Sequence, residues 1–244
     1  MTAPPTADEF LACVLARTIE GLRNVAVGTS SPVAATAALL VETESAGRTR
    51  ASILGSRRYN PFNDGGSEIH DRAAQGRIDA FFLGGGQIDG RGNINLVGTG
   101  SYPGVNVRFP GGYGSAFLYF LIPRVILFRE EHSRRVLVPK VDFVSAPGTS
   151  PPAVHRTGGP HALVTRLCVM EFDRAAGGFR LQSLHPGVEL AEVRDATGFD
   201  FEIPADVART PAPEPGRLEL IRGVVREQVA ETYPEFAKTR IGDA

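Results

Sequence analysis

Apolar positions recur at helical spacing through Phe10, Leu11, Val14 and Leu15, directly after Thr6-Ala-Asp-Glu9. Thr6 can accept from the Glu9 backbone while the Glu9 side chain reaches back, so this capping box predicts a first helix, closed by Gly21. Asn24 to Val27 predicts a short strand. Gly28-Thr-Ser-Ser-Pro32 then turns into a second helix, with Ser31 as N-cap and Pro32 at the first helical position. The alternation continues with a strand at Arg50 to Leu54, a helix at Glu68 to Gln75 stopped by Gly76, and a strand at Ile78 to Leu83. That last run shows little polar alternation, as expected when both faces are buried. A helix is predicted from Ser115, after Gly111-Gly-Tyr-Gly114. Val125 to Phe128 and Val141 to Val144 are further strand candidates, followed by a turn-rich segment at Ser145 to Pro152. From Leu163 the pattern changes. Leu163 to Phe172 and Phe179 to Leu184 flank Asp173 to Gly178 as a hairpin. A proline-rich link, Pro204 to Pro215, leads to a last helix over roughly Arg217 to Thr232.

Strand and helix in alternation predict an α/β fold: an open, largely parallel sheet flanked by helices, with a small antiparallel hairpin region toward the C-terminus. At 244 residues the chain is long enough to bury one sizeable core, so residues 1–244 are read as a single domain. The formal net charge of -1 gives no reason to expect nucleic acid or an anionic membrane as partner. Only Lys140 and Lys238 are lysines among the 26 basic residues, a bias toward arginine read here as compositional. Cys13 and Cys168 sit in apolar surroundings and read as small buried hydrophobes. The N-terminal stretch MTAPPTADEF has neither a basic start nor an uninterrupted apolar segment, so a cytoplasmic protein is expected. The most apolar run, Ser115 to Phe128, is shorter than the roughly 20 residues a bilayer needs and is broken by Pro123 and Arg124; it is read as core.

Candidate chemistry concentrates in Phe81 to Asn95, FFLGGGQIDGRGNIN, at the end of a predicted strand, where open α/β sheets place their ligands. It is not a dinucleotide fingerprint, because Asp89 stands at the third glycine position after Gly84 and Gly86. Neither lysine follows a glycine, which excludes a P-loop, and HExxH, CxxC and GxSxG are absent. Two readings of the glycines remain open. They can bring main-chain N–H groups up to a ligand carbonyl or developing oxyanion, or they can make a tight turn that Asn93 and Asn95 cap. Gly111 to Gly114 is a second candidate for backbone donors, with ordinary turn chemistry as its alternative. His70, His132, His155, His161 and His185 are scattered without visible partners, and Glu130 to Arg135 reads as a solvated charged segment.

At GGGQIDGRGNIN the chain resembles a known family, the beta subunits of heteromeric class I CoA-transferases, with a pattern like that of glutaconate CoA-transferase. Gly28-Thr29 with Pro32 is similar to the first turn of that subunit. Gly84 to Asp89 with Gly92 to Asn95 is similar to its GGAQID and GN-x-N segments. Phe109 to Gly114 resembles its second glycine loop, Lys140 to Gly148 its K-[IV]-D-[FY]-V segment, and Thr197 to Asp200 with Leu220 to Arg222 its C-terminal part. The resemblance implies an acyl-CoA enzyme whose partner is a CoA-transferase alpha-type subunit, in a heterotetramer or larger assembly. It implies no permanently bound cofactor and no metal; coenzyme A enters as part of the acyl-CoA substrate. Gly84, Gly85, Gly86, Gln87, Asn93, Gly112 and Gly114 become the expected substrate-binding and oxyanion residues. Gly85, Gly86 and Gly114 would present backbone donors near the thioester carbonyl, and Gln87 and Asn93 would order the loop.

In the family a glutamate attacks the acyl-CoA carbonyl, and an acyl anhydride and a glutamyl-CoA thioester follow. The matching stretch here is Ser52-Ile-Leu-Gly-Ser56, so Gly55 stands at the glutamate position and the catalytic group is unassigned. Glu42 comes too soon after Gly28 to replace it. Three expectations follow: a CoA-transferase-type subunit, an acyl-CoA hydrolase of the ring-opening type found in steroid degradation, which uses activated water, or a non-catalytic structural subunit. Gly55 favours hydrolysis, the signature segments lean toward the glutaconate type, and the CoA-transferase-type subunit is the expectation adopted, with hydrolysis as its alternative.

Overall fold

The computed structural model describes residues 3–63 and 66–242; Met1 and Thr2 of the stretch read for a leader lie outside them. The chain forms two compact units, Met1–Phe82 with Pro211–Ala244, and Leu83–Thr210.

The first unit begins with α1 (Ala7–Ile19), whose capping box between Thr6 and Glu9 is formed as the spacing predicts. β1 (Asn24–Val27), α2 (Pro32–Glu44), β2 (Arg50–Ile53), α3 (Ser67–Ala74) and β3 (Ala80–Leu83) follow. β2, β1 and β3 lie side by side and run parallel, with Val25 opposite both Ala51 and Ala80. All four residues of β3 are buried, which accounts for its lack of alternation. α2 is apolar almost all round, and Val33 to Val41 are buried without a break. A helix of that composition belongs inside, and α2 packs against α1, β1 and β2.

The second unit opens with two small antiparallel hairpins, β4 (Gln87–Ile88) with β5 (Ile94–Asn95) and β6 (Gly98–Gly100) with β7 (Val105–Arg108). α4 (Ser115–Leu121) and β8 (Arg124–Phe128) follow, then β9 (Pro160–Val164), β10 (Cys168–Asp173), β11 (Gly178–Leu184), α5 (Leu190–Ala196) and β12 (Ala208–Arg209). β8 and β9 are parallel, β10 is antiparallel to both β9 and β11, and β12 joins β11 in parallel. The fold is α/β, with largely parallel pairing and the expected hairpin across Asp173 to Gly178.

The chain then returns to the first unit through α6 (Pro215–Leu220), a widened helical turn at Ile221–Val225, α7 (Arg226–Ala230) and α8 (Pro234–Thr239). The predicted last helix is therefore interrupted, because Gly223 adopts a non-helical φ of −95° and ψ of −112°. The return is anchored by a buried ion pair. Arg222 Nε and Nη2 each donate to a Glu9 carboxylate oxygen at 2.9 Å, and Glu9 also accepts from the amides of Thr6 and Gly242. Both side chains are all but inaccessible, at 1% for Arg222 and 0% for Glu9.

Two predicted strands need correction. Val141 to Val144 is irregular, because its amides serve side chains in place of a ladder: the Asp142 N–H donates to Gln87 Oε1 at 2.9 Å. Leu163 to Phe172 is divided between β9 and β10. Thr165 Oγ1 accepts from the amides of Leu167 and Cys168 at 3.2 and 3.3 Å, which folds Thr165 to Leu167 into a turn.

Candidate functional site

The GGGQIDGRGNIN stretch forms a turn whose polar side chains satisfy one another. Asp89 is its hub: Oδ1 accepts from the amides of Arg91 and Asn93 at 3.0 and 3.1 Å, and Oδ2 accepts from Asn93 Nδ2 at 3.0 Å. Asn93 Oδ1 in turn accepts from the Gly148 amide at 3.1 Å. Gln87 Oε1 accepts from Asn95 Nδ2 at 2.7 Å and from the Asp142 amide, while Gln87 Nε2 donates to Asp142 Oδ2 at 3.1 Å. Asn95, wholly buried, also donates to the Gly98 carbonyl and accepts from the amides of Val97 and Gly98. Gln87, Asp89 and Asn95 are buried polar groups, and such groups need partners. Their side chains build the loop, whereas the Arg91 side chain is exposed.

The glycines of this stretch make close approach possible. A Cβ on Gly85 would stand 2.6 Å from Ile94 Cγ2, and one on Gly86 2.2 Å from the Phe109 ring. The expectation for Gly86 changes in one respect: its N–H donates to the Asn95 carbonyl at 2.9 Å. That amide closes the hairpin and is not a free donor. Gly84 is looser, with the Phe128 carbonyl 3.5 Å from its would-be Cβ.

The second glycine stretch sits ahead of α4. Gly111, Tyr113 and Gly114 all have positive φ, at 100°, 40° and 73°. Gly112 accepts from the Ser115 amide at 2.7 Å, and Gly114 is the N-cap residue of α4 without a side-chain cap. Tyr113 is exposed.

In the first unit, Gly55 lies just past the carboxyl end of β2. Its φ is +91°, and a Cβ there would meet only Thr29 Cγ2, at 3.8 Å. The next residue, Ser56, is buried, and its hydroxyl accepts from the amides of Arg58 and Tyr59 at 3.1 and 2.8 Å and donates to Glu231 Oε2 at 2.6 Å. Glu231 Oε1 accepts from the Arg57 amide at 2.8 Å. Glu42 has a different place: its Oε1 accepts from the Ala51 amide at 3.3 Å, toward the amino end of β2, and burial raises its pKa. It is turned to the end of the strand opposite Gly55.

Two of the histidines, His132 and His185, take structural positions. His132 is not part of a solvated segment, because Nδ1 and Nε2 lie 2.7 and 2.9 Å from the hydroxyls of Thr165 and Thr197. The Thr197 hydroxyl donates to the Val193 carbonyl, so Nε2 carries the imidazole proton and Nδ1 accepts from Thr165. Burial pushes the His132 pKa down to about 4. His185 is buried between Thr210 Oγ1 and the Thr165 carbonyl. Cys13 and Cys168 are buried and unbridged, and burial raises their thiols to about 11 and 12, which makes both poor nucleophiles. Among the described residues no cluster of His, Cys, Asp or Glu could hold a metal ion, and no helix is long and apolar enough to cross a membrane.

Sequence reasoning missed Ser56 and Glu231. Ser56 adjoins the resemblance at Ser52 to Ser56 but carries no pattern of its own. Glu231 lies 175 residues further on, and nothing in its helical surroundings marks it.

Parallel strands ending in glycine-bearing turns, beside a loop of buried, hydrogen-bonded polar side chains, define an α/β protein. The family model for coenzyme A transferase matches residues 17–196. The chain belongs to the coenzyme A transferase family. It is 35% identical over 155 residues to the B-type subunit of 3-oxoadipate CoA-transferase from Pseudomonas knackmussii, covering 61% of this chain and 59% of that protein. The chain thus spans about three fifths of that relative's length. It is 30% identical over 203 residues to the IpdB component of the cholesterol ring-cleaving hydrolase from Mycobacterium tuberculosis, covering 78% and 74%. Among solved structures, the decarboxylase AibA/AibB matches with a TM-score of 0.77 and 27% identity, covering 97% of this chain and 99% of that one. These three relatives are named for three different reactions.

Proposed function

We propose that the chain is the beta subunit of a heteromeric CoA-transferase-like enzyme that acts on an acyl-CoA thioester together with an alpha-type partner. The observation that carries this reading is the Gly84 to Asn95 loop. Gln87, Asp89, Asn93 and Asn95 are spent on one another and on the Asp142 to Gly148 segment, so the backbone between them is held in place, which is what binding and polarising a thioester carbonyl requires. Gly84 and Gly85, with Gly112 and Gly114, are the backbone elements assigned to the substrate. Gln87 and Asn93 keep the loop in shape. Coenzyme A belongs to the substrate and is not a resident cofactor.

Gly55 favours a second reading. Transfer needs a carboxylate oxygen to attack the thioester carbonyl and displace CoA thiolate; the thiolate then attacks the enzyme side of the anhydride, releasing the acid. Gly55 has no carboxylate, and its left-handed backbone is poorly suited to any residue with a Cβ. An enzyme of this build can instead direct water at an acyl-CoA, as in ring opening or carbon–carbon cleavage, and the likeness to IpdB supports that chemistry.

The test is intact mass of both subunits of the co-purified complex after incubation with a panel of acyl-CoA thioesters, with the small-molecule products followed in parallel. A CoA adduct on the partner establishes transfer with the nucleophile supplied elsewhere, and an adduct on this chain overturns the role given to Gly55. A hydrated or ring-opened CoA product without adduct establishes hydrolysis. Loss of carbon dioxide with CoA retained replaces both readings by decarboxylation, and no turnover at all leaves a structural subunit.

A further inference from the structure

The carboxyl ends of β1 and β2 are held by one short segment, Glu231 to Tyr233, just past α7. Four donors converge on the Glu231 carboxylate: the Ser56 hydroxyl at 2.6 Å, the amides of Arg57 and Arg58 at 2.8 and 3.3 Å, and the Thr232 hydroxyl at 2.5 Å. Two residues on, the Tyr233 hydroxyl accepts from the Ser31 amide at 3.4 Å, in the turn between β1 and α2. The two turns meet at Thr29 and Gly55, whose methyl and would-be Cβ are 3.8 Å apart. Gly55 therefore stands where three separate pieces of chain come together.

We infer that Glu231 is a positioning residue for this site, holding the Gly55 to Tyr59 turn at the end of β2 in the conformation the reaction uses. The inference rests on the acyl-CoA reading above for the word site, though the clamp itself does not. Glu231 is a poor nucleophile: burial raises its pKa, but the hydrogen bonds that both its oxygens accept outweigh burial and hold it below the ordinary value. Its side chain as a whole is exposed, whereas Ser56 is buried. What it contributes is geometry: a turn with a positive-φ glycine, closed on itself through Ser56, is tied to the C-terminal helices.

The test is amide hydrogen exchange on the co-purified complex of this chain with its alpha-type partner, wild type against Glu231→Ala, Glu231→Gln and Tyr233→Phe, with and without coenzyme A as the probe. In Glu231→Ala, exchange at Arg57 is expected to rise about three- to tenfold, at the lower end for a charge-assisted hydrogen bond because the carboxylate is exposed, and by less at Arg58, whose amide also donates to Ser56 Oγ. Glu231→Gln, which keeps one acceptor oxygen, should restore part of that protection, and Tyr233→Phe should affect only Ser30 and Ser31. Coenzyme A should slow exchange at Arg57 and Arg58 in the wild type and less so in Glu231→Ala. Unchanged exchange in Glu231→Ala overturns the clamp. A clamp without protection by coenzyme A at this turn, while the Gly84 to Gly86 loop is protected, reduces Glu231 to a structural residue and overturns the inference. Protection nowhere means that the acyl-CoA reading has failed, and the positioning role falls with it. A covalent CoA adduct on Glu231 overturns positioning in favour of catalysis.

Discussion

Replacing Gly55 by alanine and by glutamate separates backbone strain from space. The φ of +91° places Gly55 in a region where a residue with a Cβ is strained by about 1–2 kcal/mol. The neighbourhood is otherwise open, with only the Thr29 methyl at 3.8 Å, an ordinary contact. Gly55→Ala is therefore expected to lose about 1–2 kcal/mol, and Gly55→Glu the same within about 0.5 kcal/mol, since its longer side chain meets no core. Urea unfolding of the two variants beside the wild type measures both numbers. A loss in Gly55→Glu some 2 kcal/mol beyond that in Gly55→Ala would show that the site is packed, and no loss in either would refute the left-handed backbone. The same glutamate variant tests the chemistry. The turn that would carry the carboxylate is held by the Ser56 and Arg57 bonds to Glu231 in a left-handed backbone suited to glycine. No CoA adduct is expected on Gly55→Glu by intact mass, and the appearance of one would show that the family's pocket is intact around position 55.

Two further outcomes follow from buried contacts. Glu9→Ala leaves the Arg222 guanidinium buried without its bidentate partner and is expected to cost about 3–5 kcal/mol in urea unfolding. Burial raises the Glu9 pKa, but Arg222 and the amides of Thr6 and Gly242 outweigh it and hold the carboxyl below its ordinary value of 4.5. The resulting stability is present above that value and lost as pH falls through the lower folded one, so the acid limb of the wild-type stability curve should be shallower in Glu9→Gln; equal limbs would refute the linkage. Gly86→Ala places a methyl 2.2 Å from the Phe109 ring and is expected to cost about 1–3 kcal/mol, most of it recovered in Gly86→Ala with Phe109→Ala, so that additive losses would refute the contact.

Much of the molecule was legible in local pattern. The Thr6 and Glu9 capping box, the β1 strand, the Pro32 helix start and the hairpin across Asp173 to Gly178 all depend on neighbours a few residues apart, and periodicity reports such interactions directly. The glycine pattern with Gln87, Asp89, Asn93 and Asn95 also pointed to the right family, because spacing within one turn is local. Where sequence reasoning erred, a side chain had taken over a backbone role. Val141 to Val144 has the composition of a strand, yet its amides answer Gln87 and Asp89 from another part of the chain. Thr165 divides an apolar run that reads as continuous.

From the order of its residues alone this chain determines an α/β fold and membership in the coenzyme A transferase family. Tertiary structure alone decided that the Gly86 amide is committed to Asn95, that His132 is a neutral imidazole between two threonines, and that the turn after β2 is held by Glu231. The physical reason is range. Helix caps, strands and turns are settled by torsions and hydrogen bonds among near neighbours, whereas a buried donor or acceptor is satisfied by whichever group the folded chain brings within about 3 Å, however distant in sequence.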